Sequence, residues 1–231
     1  MDPIPSFEWS CGLSFQGSAM ASPEFERFEE SFLDNPSSSV TDGLDVDALL
    51  SLQGAERERA EAVLLQRLDE DDMRAIIGLG ALRSPRARPG LERIFHEVRG
   101  EALGILGLQL VETSRALWRI APDKRWLDAV LDVLRGSRYE QNRRAAAGVL
   151  EDFRHADAER ALIETLDAPD RLLRYTAACA LLAMHGIAST SFIFADNDHA
   201  AYRVMASDPA KWAEARRDIL TMIAHIGSLP R

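Results

Sequence analysis

The segment Asn142 to Leu182, NRRAAAGVLEDFRHADAERALIETLDAPDRLLRYTAACALL, states one pattern twice. Arg143, Ala147 and Leu150 recur as Arg174, Ala178 and Leu181, each 31 residues on. AVLDVL (Ala129 to Leu134) recurs as ALIETL (Ala161 to Leu166), 32 residues on, and Trp118 stands at the same distance from Leu150. Looser copies lie upstream: RAEAVLLQRL from Arg59, MRAIIGLGAL from Met73 and SPRARPGLERIF from Ser84. A fixed period of this length marks one supersecondary unit that cannot bury its apolar face alone and is stacked on neighbours like itself.

Within a copy, two stretches carry helical periodicity. Ala145, Ala146, Val149, Leu150 and Phe153 form one stripe at i, i+3, i+4, i+7 spacing, and Ala158, Ala161, Leu162, Thr165 and Leu166 form another. Breakers separate them: APDK at 121–124, RGSR at 135–138 and DAPD at 167–170. Asp123, Ser137 and Asp170 are placed to cap the helices that follow, each offering a side-chain oxygen to first-turn amides. The small residues Ala145, Ala146, Ala147, Ala177 and Ala178 let first helices approach closely, while Leu, Ile and Trp of the second helices fill the seam. Strand-like alternation is scarce, so the expected class is all-α: stacked antiparallel helix pairs forming an α-solenoid.

The pattern resembles HEAT-like repeats, particularly the short bacterial variety. Asp170, Arg174, Ala177, Ala178 and Leu181 match the first-helix pattern of that family; Ala158, Ala161, Leu162, Ile163 and Leu166 match the second, as does SPRARPGLERIF with Pro85 near its start. The resemblance spans roughly Leu44 to Ile187. It implies a fold shared by protein-binding scaffolds, immunity proteins of bacterial toxin systems, phycobilin lyase subunits and an alkylpurine DNA glycosylase, so it does not select a function.

The period fails after Met184. Residues 186–207 form an irregular insertion, read as an atypical capping unit or as a partner-contacting loop, before a long amphipathic helix begins at Asp208–Pro209. Within the insertion, Asp196, Asn197, Asp198 and His199 place oxygen ligands at i and i+2. The glycine and further acids of a calcium loop are missing, so a surface turn is the expected reading, and no metal site is assigned. Ahead of the repeats, residues 1–43 read as an acidic, flexible leader, or as an acidic arm for a basic partner. Up to Leu50 ten acids face one base, Arg27, a balance of −9, which leaves −1 of the formal −10 for the rest of the chain. GSAMASPEF, Gly17 to Phe25, looks like a string left at a vector fusion junction, so residues 1–25 are read either as vector-derived or as part of the native leader. The folded body is then 44–231.

Chemistry is thinly signalled. None of His96, His155, His185, His199 and His225 has zinc-site neighbours, and no P-loop, dinucleotide fingerprint or nucleophile elbow occurs. Gly78 and Gly80 lie in a helical pattern with no strand before them, which argues against a phosphate cradle. Cys179, inside an Ala/Leu run, reads as a buried free thiol, consistent with a reducing cytoplasm; neither a secretory signal nor a membrane-spanning run is evident. A glycosylase would use Trp118 and Trp126 with Asp123 and Asp128, and arginines such as Arg138 and Arg171 on phosphates. A nearly neutral body is a poor match to DNA. The expectation is a non-catalytic, cofactor-free module that binds another protein, in its sharpest form an immunity or inhibitor protein occluding a toxin's active site. The contacts expected are Trp118, Trp126, Arg143, Arg144, Arg174 and Tyr175, because aromatic and arginine side chains dominate interface energetics. The repeat-equivalent arginines, Arg143 and Arg174, have a second reading: pairing with an acid of the next unit, Asp170 or Asp152.

Overall fold

The computed structural model describes residues 21–32, 44–187 and 200–227, and among them every regular element is helical. In order these are α1 (Pro23–Phe32), α2 (Val46–Ser51), α3 (Gly54–Leu68), α4 (Met73–Leu82), α5 (Arg88–Val98), α6 (Gly107–Ile120), α7 (Lys124–Gly136), α8 (Glu140–Val149), α9 (Ala156–Thr165), α10 (Arg171–Met184), α11 (Ala200–Arg203) and α12 (Pro209–Gly227). Caps explain where several begin. Asp72, Asp123 and Asp170 accept from the amides of Arg74, Arg125 and Leu172, and Asp208 accepts from Ala210 ahead of Pro209 in the first turn. Ser137 differs from expectation: α8 starts after Tyr139, and the Ser137 hydroxyl accepts from the Tyr139 amide in the turn before it.

The packing order follows the repeat. Helix α4 lies on α6, α6 on α8 and α8 on α10, a row of first helices; α5 and α7 flank α6, α7 flanks α8, and α9 flanks α10. Small residues make the close approaches. A Cβ added to Gly80 would stand 2.7 Å from the Cβ of Ala116 and 2.8 Å from its Cα, so α4 meets α6 almost backbone to backbone. This is what the glycines of GLGAL do: they seat a helix. One buried apolar cluster then runs without a break from Phe25 in α1 to Ile223 in α12, and includes Ala146, Val149, Leu150, Phe153, Ala158, Ala161, Leu162 and Leu166 of the two predicted stripes.

Two expectations need correction. The leader expected to be flexible contains α1, whose Phe25, Phe28 and Phe32 are all buried in the core. Their spacing of three and then four residues is an apolar helix stripe, short enough to be outweighed by the surrounding acids. Ser22, part of the stretch read as vector-derived, donates from its amide and hydroxyl to the Glu56 carboxylate at 2.8 and 2.7 Å, and these bonds hold that carboxyl below its ordinary range. Within the irregular insertion, Ala200–Arg203 forms the single turn α11, and residues 188–199, including Asp196, Asn197, Asp198 and His199, lie outside the described residues.

Candidate functional site

A polar cleft of about 580 Å³ opens where α4 ends, α8 ends and α10 ends, lined by Arg83, Glu151, Asp152, Arg154 and Ala183. Its shape comes from two helix terminations. Helix α4 stops at Arg83, which takes the left-handed conformation (φ 52°, ψ 42°) and returns its amide to the carbonyls of Leu79 and Gly80. Helix α8 tightens into a 3-10 turn, Leu150–Asp152; Phe153 is buried, and Arg154 turns left-handed at φ 40° before His155 caps α9. Left-handed backbone is where glycine normally ends a helix, and a residue with a Cβ costs roughly 1 kcal/mol or more there. Two of the three described non-glycine residues with positive φ, Arg83 and Arg154, therefore stand on the rim of one cleft. No hydrogen bond or ion pair among the described residues engages either guanidinium. Strained backbone retained at a cleft points to a use for the side chain.

The wall behind the rim is a charge network. Arg115 and Arg119, one turn apart on α6, both hold Asp152: Arg119 Nη2 donates to its two oxygens at 3.1 and 2.9 Å, and Arg115 Nε to Oδ2. Glu112, a turn earlier on α6, stands 3.7 Å from Arg115. Burial pushes the Glu112 carboxyl up, and the nearby arginines only partly oppose this; burial and the Asp152 charge likewise push up Glu151. For Arg115 the balance is reversed: burial would lower its pKa, but Asp152 and Glu112 outweigh that. Asp152 is thus committed to the two wall arginines, leaving Arg83 and Arg154 as free cations at the mouth. The neighbouring α10 contributes Tyr175 and Cys179, one turn apart; burial raises both, and the Glu151 charge raises the thiol further. Cys179 is half-buried, a little more open than expected.

The predicted contact residues divide. Trp118 packs on Phe153 with ring centroids 4.8 Å apart and so lies at the 150–154 turn, whereas Tyr175 adjoins Cys179 on its own helix, α10. Trp126 joins neither: it is 1% exposed, edge-on to Phe95 at 4.7 Å, with its indole N–H on the Ala121 carbonyl, and offers no surface. Arg174 is withdrawn for the same reason. At 3% exposure it donates to the carbonyls of Val204, Ala168, Pro169 and Ala206 and lies 4.0 Å over the Trp212 ring. Arg144 is occupied by Asp170 and Glu140, both at 2.9 Å. Arg143 lies in a separate small recess with Arg135 and Glu164, its Nε buried and without an acceptor.

The inter-unit ladder does form on Asp152 and Asp170, but through Arg115, Arg119 and Arg144 and not through Arg143 and Arg174. One residue along a helix turns a side chain by about 100°, enough to exchange the next unit for another neighbour. The residues of a base-excision reading do not converge: Trp126 is buried, Asp123 caps α7 and pairs with Arg125, and Asp128 pairs with Lys124. Arg83 and Arg154 were missed. Their signal is local: in LRSP and FRHA an arginine fills the single position between an apolar helix end and the cap of the next element.

Comparison of the chain with family models, with curated proteins and with solved structures finds no match in any of the three. No cluster of three or more metal-ligating side chains occurs among the described residues, and no described helix is long and apolar enough to cross a membrane.

Proposed function

We propose that the protein is a HEAT-like helical-repeat module that binds another protein without catalysis, and that it grips an acidic segment of that partner at the Arg83–Arg154 cleft. The observation that supports this best is the pair of free arginines held in left-handed backbone at one rim, beside an Asp152 already paired with Arg115 and Arg119, so that the cleft's two free cations face the single unpaired carboxyl of Glu151. Arginine suits the task because its planar fork engages a carboxylate through two parallel hydrogen bonds. Trp118, half-buried against Phe153 beside that turn, supplies aromatic area next to the charges. Stacking of α4, α6, α8 and α10 as the first helices of successive solenoid units accounts for three separate helix ends meeting at this cleft. In its sharper form the reading is of an immunity or inhibitor protein that occludes a toxin's active site, with the cleft arginines seated on carboxylates there.

The experiment is a matched capture from native lysate with the wild type and with the double variant Arg83→Glu, Arg154→Glu, both checked for equal thermal stability. A stoichiometric protein retained by the wild type and lost by the double variant is the expected outcome. Retention by both, or no stoichiometric partner, defeats the reading.

A further inference from the structure

A second cleft, of about 710 Å³, lies where α10 and α12 begin. Arg171 and Leu172 stand at the start of α10, whereas Ala183 of the first cleft stands near its end, so the two are separated by roughly 17 Å along that helix at 1.5 Å per residue. The volume falls within the range of small-molecule sites, about 300–1,000 Å³, and is larger than one side chain needs.

Its frame is rigid. Arg174 donates to the carbonyls of Val204 and Ala206 and so fixes the turn that forms one wall; Trp212, under the Arg174 guanidinium, donates its indole N–H to Leu166 at 3.0 Å. Arg203 is tied to Asp218, which holds α11 to α12. A cleft fixed before its ligand arrives spends little of the binding energy on ordering.

The lining is divided in chemistry. Its charged members are Arg171 and Lys211, both exposed and neither engaged by a hydrogen bond or ion pair among the described residues, and Glu214, the one lining carboxylate. Its apolar members are Leu172, Tyr202 and Met205. Leu172 is 41% exposed, one of four large apolar side chains left open among the described residues. Ser207 adds a hydroxyl. The cations exceed the carboxylate, and the same cleft carries apolar side chains beside them.

We infer that this cleft binds a small amphipathic organic anion: an aromatic or branched aliphatic body against Leu172, Tyr202 and Met205, with a carboxylate or phosphate on Arg171 and Lys211. The site shares no lining residue with the Arg83–Arg154 cleft and does not depend on the reading given to it.

The test is a titration of the full chain, followed by calorimetry and by the methyl resonances of Leu172 and Met205. The probes are phenyl phosphate, phenylacetate, inorganic phosphate, benzyl alcohol and benzylamine. At least one of the two aromatic anions is expected to bind at millimolar concentration or below, at least about tenfold more tightly than benzyl alcohol or inorganic phosphate, the equivalent of one charged contact. Which of the two binds better identifies the head group. The double variant Arg171→Glu, Lys211→Glu alters only exposed side chains and keeps the melting temperature; it is expected to lose that binding by the same factor or more. The inference is overturned if neither aromatic anion binds, if benzyl alcohol, benzylamine or inorganic phosphate binds equally well, or if the double variant binds as the wild type does.

Discussion

At the amino-terminal end of the α4–α10 row, Arg74 leaves α4, lies 4.9 Å over the Phe32 ring and donates to the Phe32 carbonyl at 3.1 Å. At the carboxy-terminal end, Arg174 leaves α10, lies 4.0 Å over the Trp212 ring and donates to the Val204 and Ala206 carbonyls. These are the two buried arginines among the described residues, and each fastens a terminal helix to the row through an aromatic face and backbone carbonyls. Their surroundings differ. Arg74 is paired with Asp72 at 2.9 Å, beside three phenylalanines, two of them stacked at 5.7 Å. Arg174 has no carboxylate in contact, and burial pushes its guanidinium below its ordinary value, opposed only by the more distant Asp170. The lesson is that apolar area and saturated arginine bonding are alternative ways to fasten a terminal helix to its packed neighbours.

That contrast has a ranked set of consequences. The largest is at the apolar end: Phe28→Ala, which empties the centre of the phenylalanine stack, is expected to cost about 3–5 kcal/mol in urea denaturation. At the polar end, Arg174→Met strands several carbonyls and is expected to cost about 3 kcal/mol. Arg74→Met removes the corresponding clamp but leaves the phenylalanines in place, so a smaller loss of about 2 kcal/mol is expected. If the two arginine variants lose equal amounts, the distinction between the ends fails. Arg143 sits at the repeat position of Arg174 without any of its acceptors, so Arg143→Met is expected to stay within about 0.5 kcal/mol of the wild type by thermal melting.

Acid sharpens the picture with the smallest effect. Burial would raise Asp72 and Asp170, but hydrogen bonds from Arg74 and Arg144 and from first-turn amides outweigh it and hold both low. Carboxyls held low in the folded state stabilise it at pH above their ordinary value, and that contribution is lost as pH falls below about 4. Glu112 and Glu151 act with the opposite sign: held high, they take up protons in the folded state first, so stability rises as pH drops from their raised values towards the ordinary one. The urea midpoint is therefore expected to rise slightly on mild acidification and then fall, and Glu112→Gln to flatten the rise. A steady decline from neutral pH would contradict this balance.

The row was legible in the sequence because its signal repeats: Ala147 and Leu150 recur as Ala178 and Leu181, and all four are buried. The ends were not, since each occurs once. Phe25, Phe28 and Phe32 make only ten residues of helix amid acids, and Trp212 gains its meaning from Arg174, distant in sequence. The site was half legible. Trp118 reaches the 150–154 turn, but that Arg144 and not Arg143 pairs with Asp170 needed a helix phase that composition does not fix. Arg83 and Arg154 carry only a short local signal, a single residue between an apolar helix end and the next cap, and their left-handed backbone is visible only in the fold.

Native-state hydrogen exchange on Arg174→Met measures the closing of the array most directly. Faster exchange confined to the amides of α12 and the 204–206 turn, with α6 and α8 protected as in the wild type, is the predicted result. Unchanged protection of α12, or loss of protection spread evenly through α4 to α10, would contradict it.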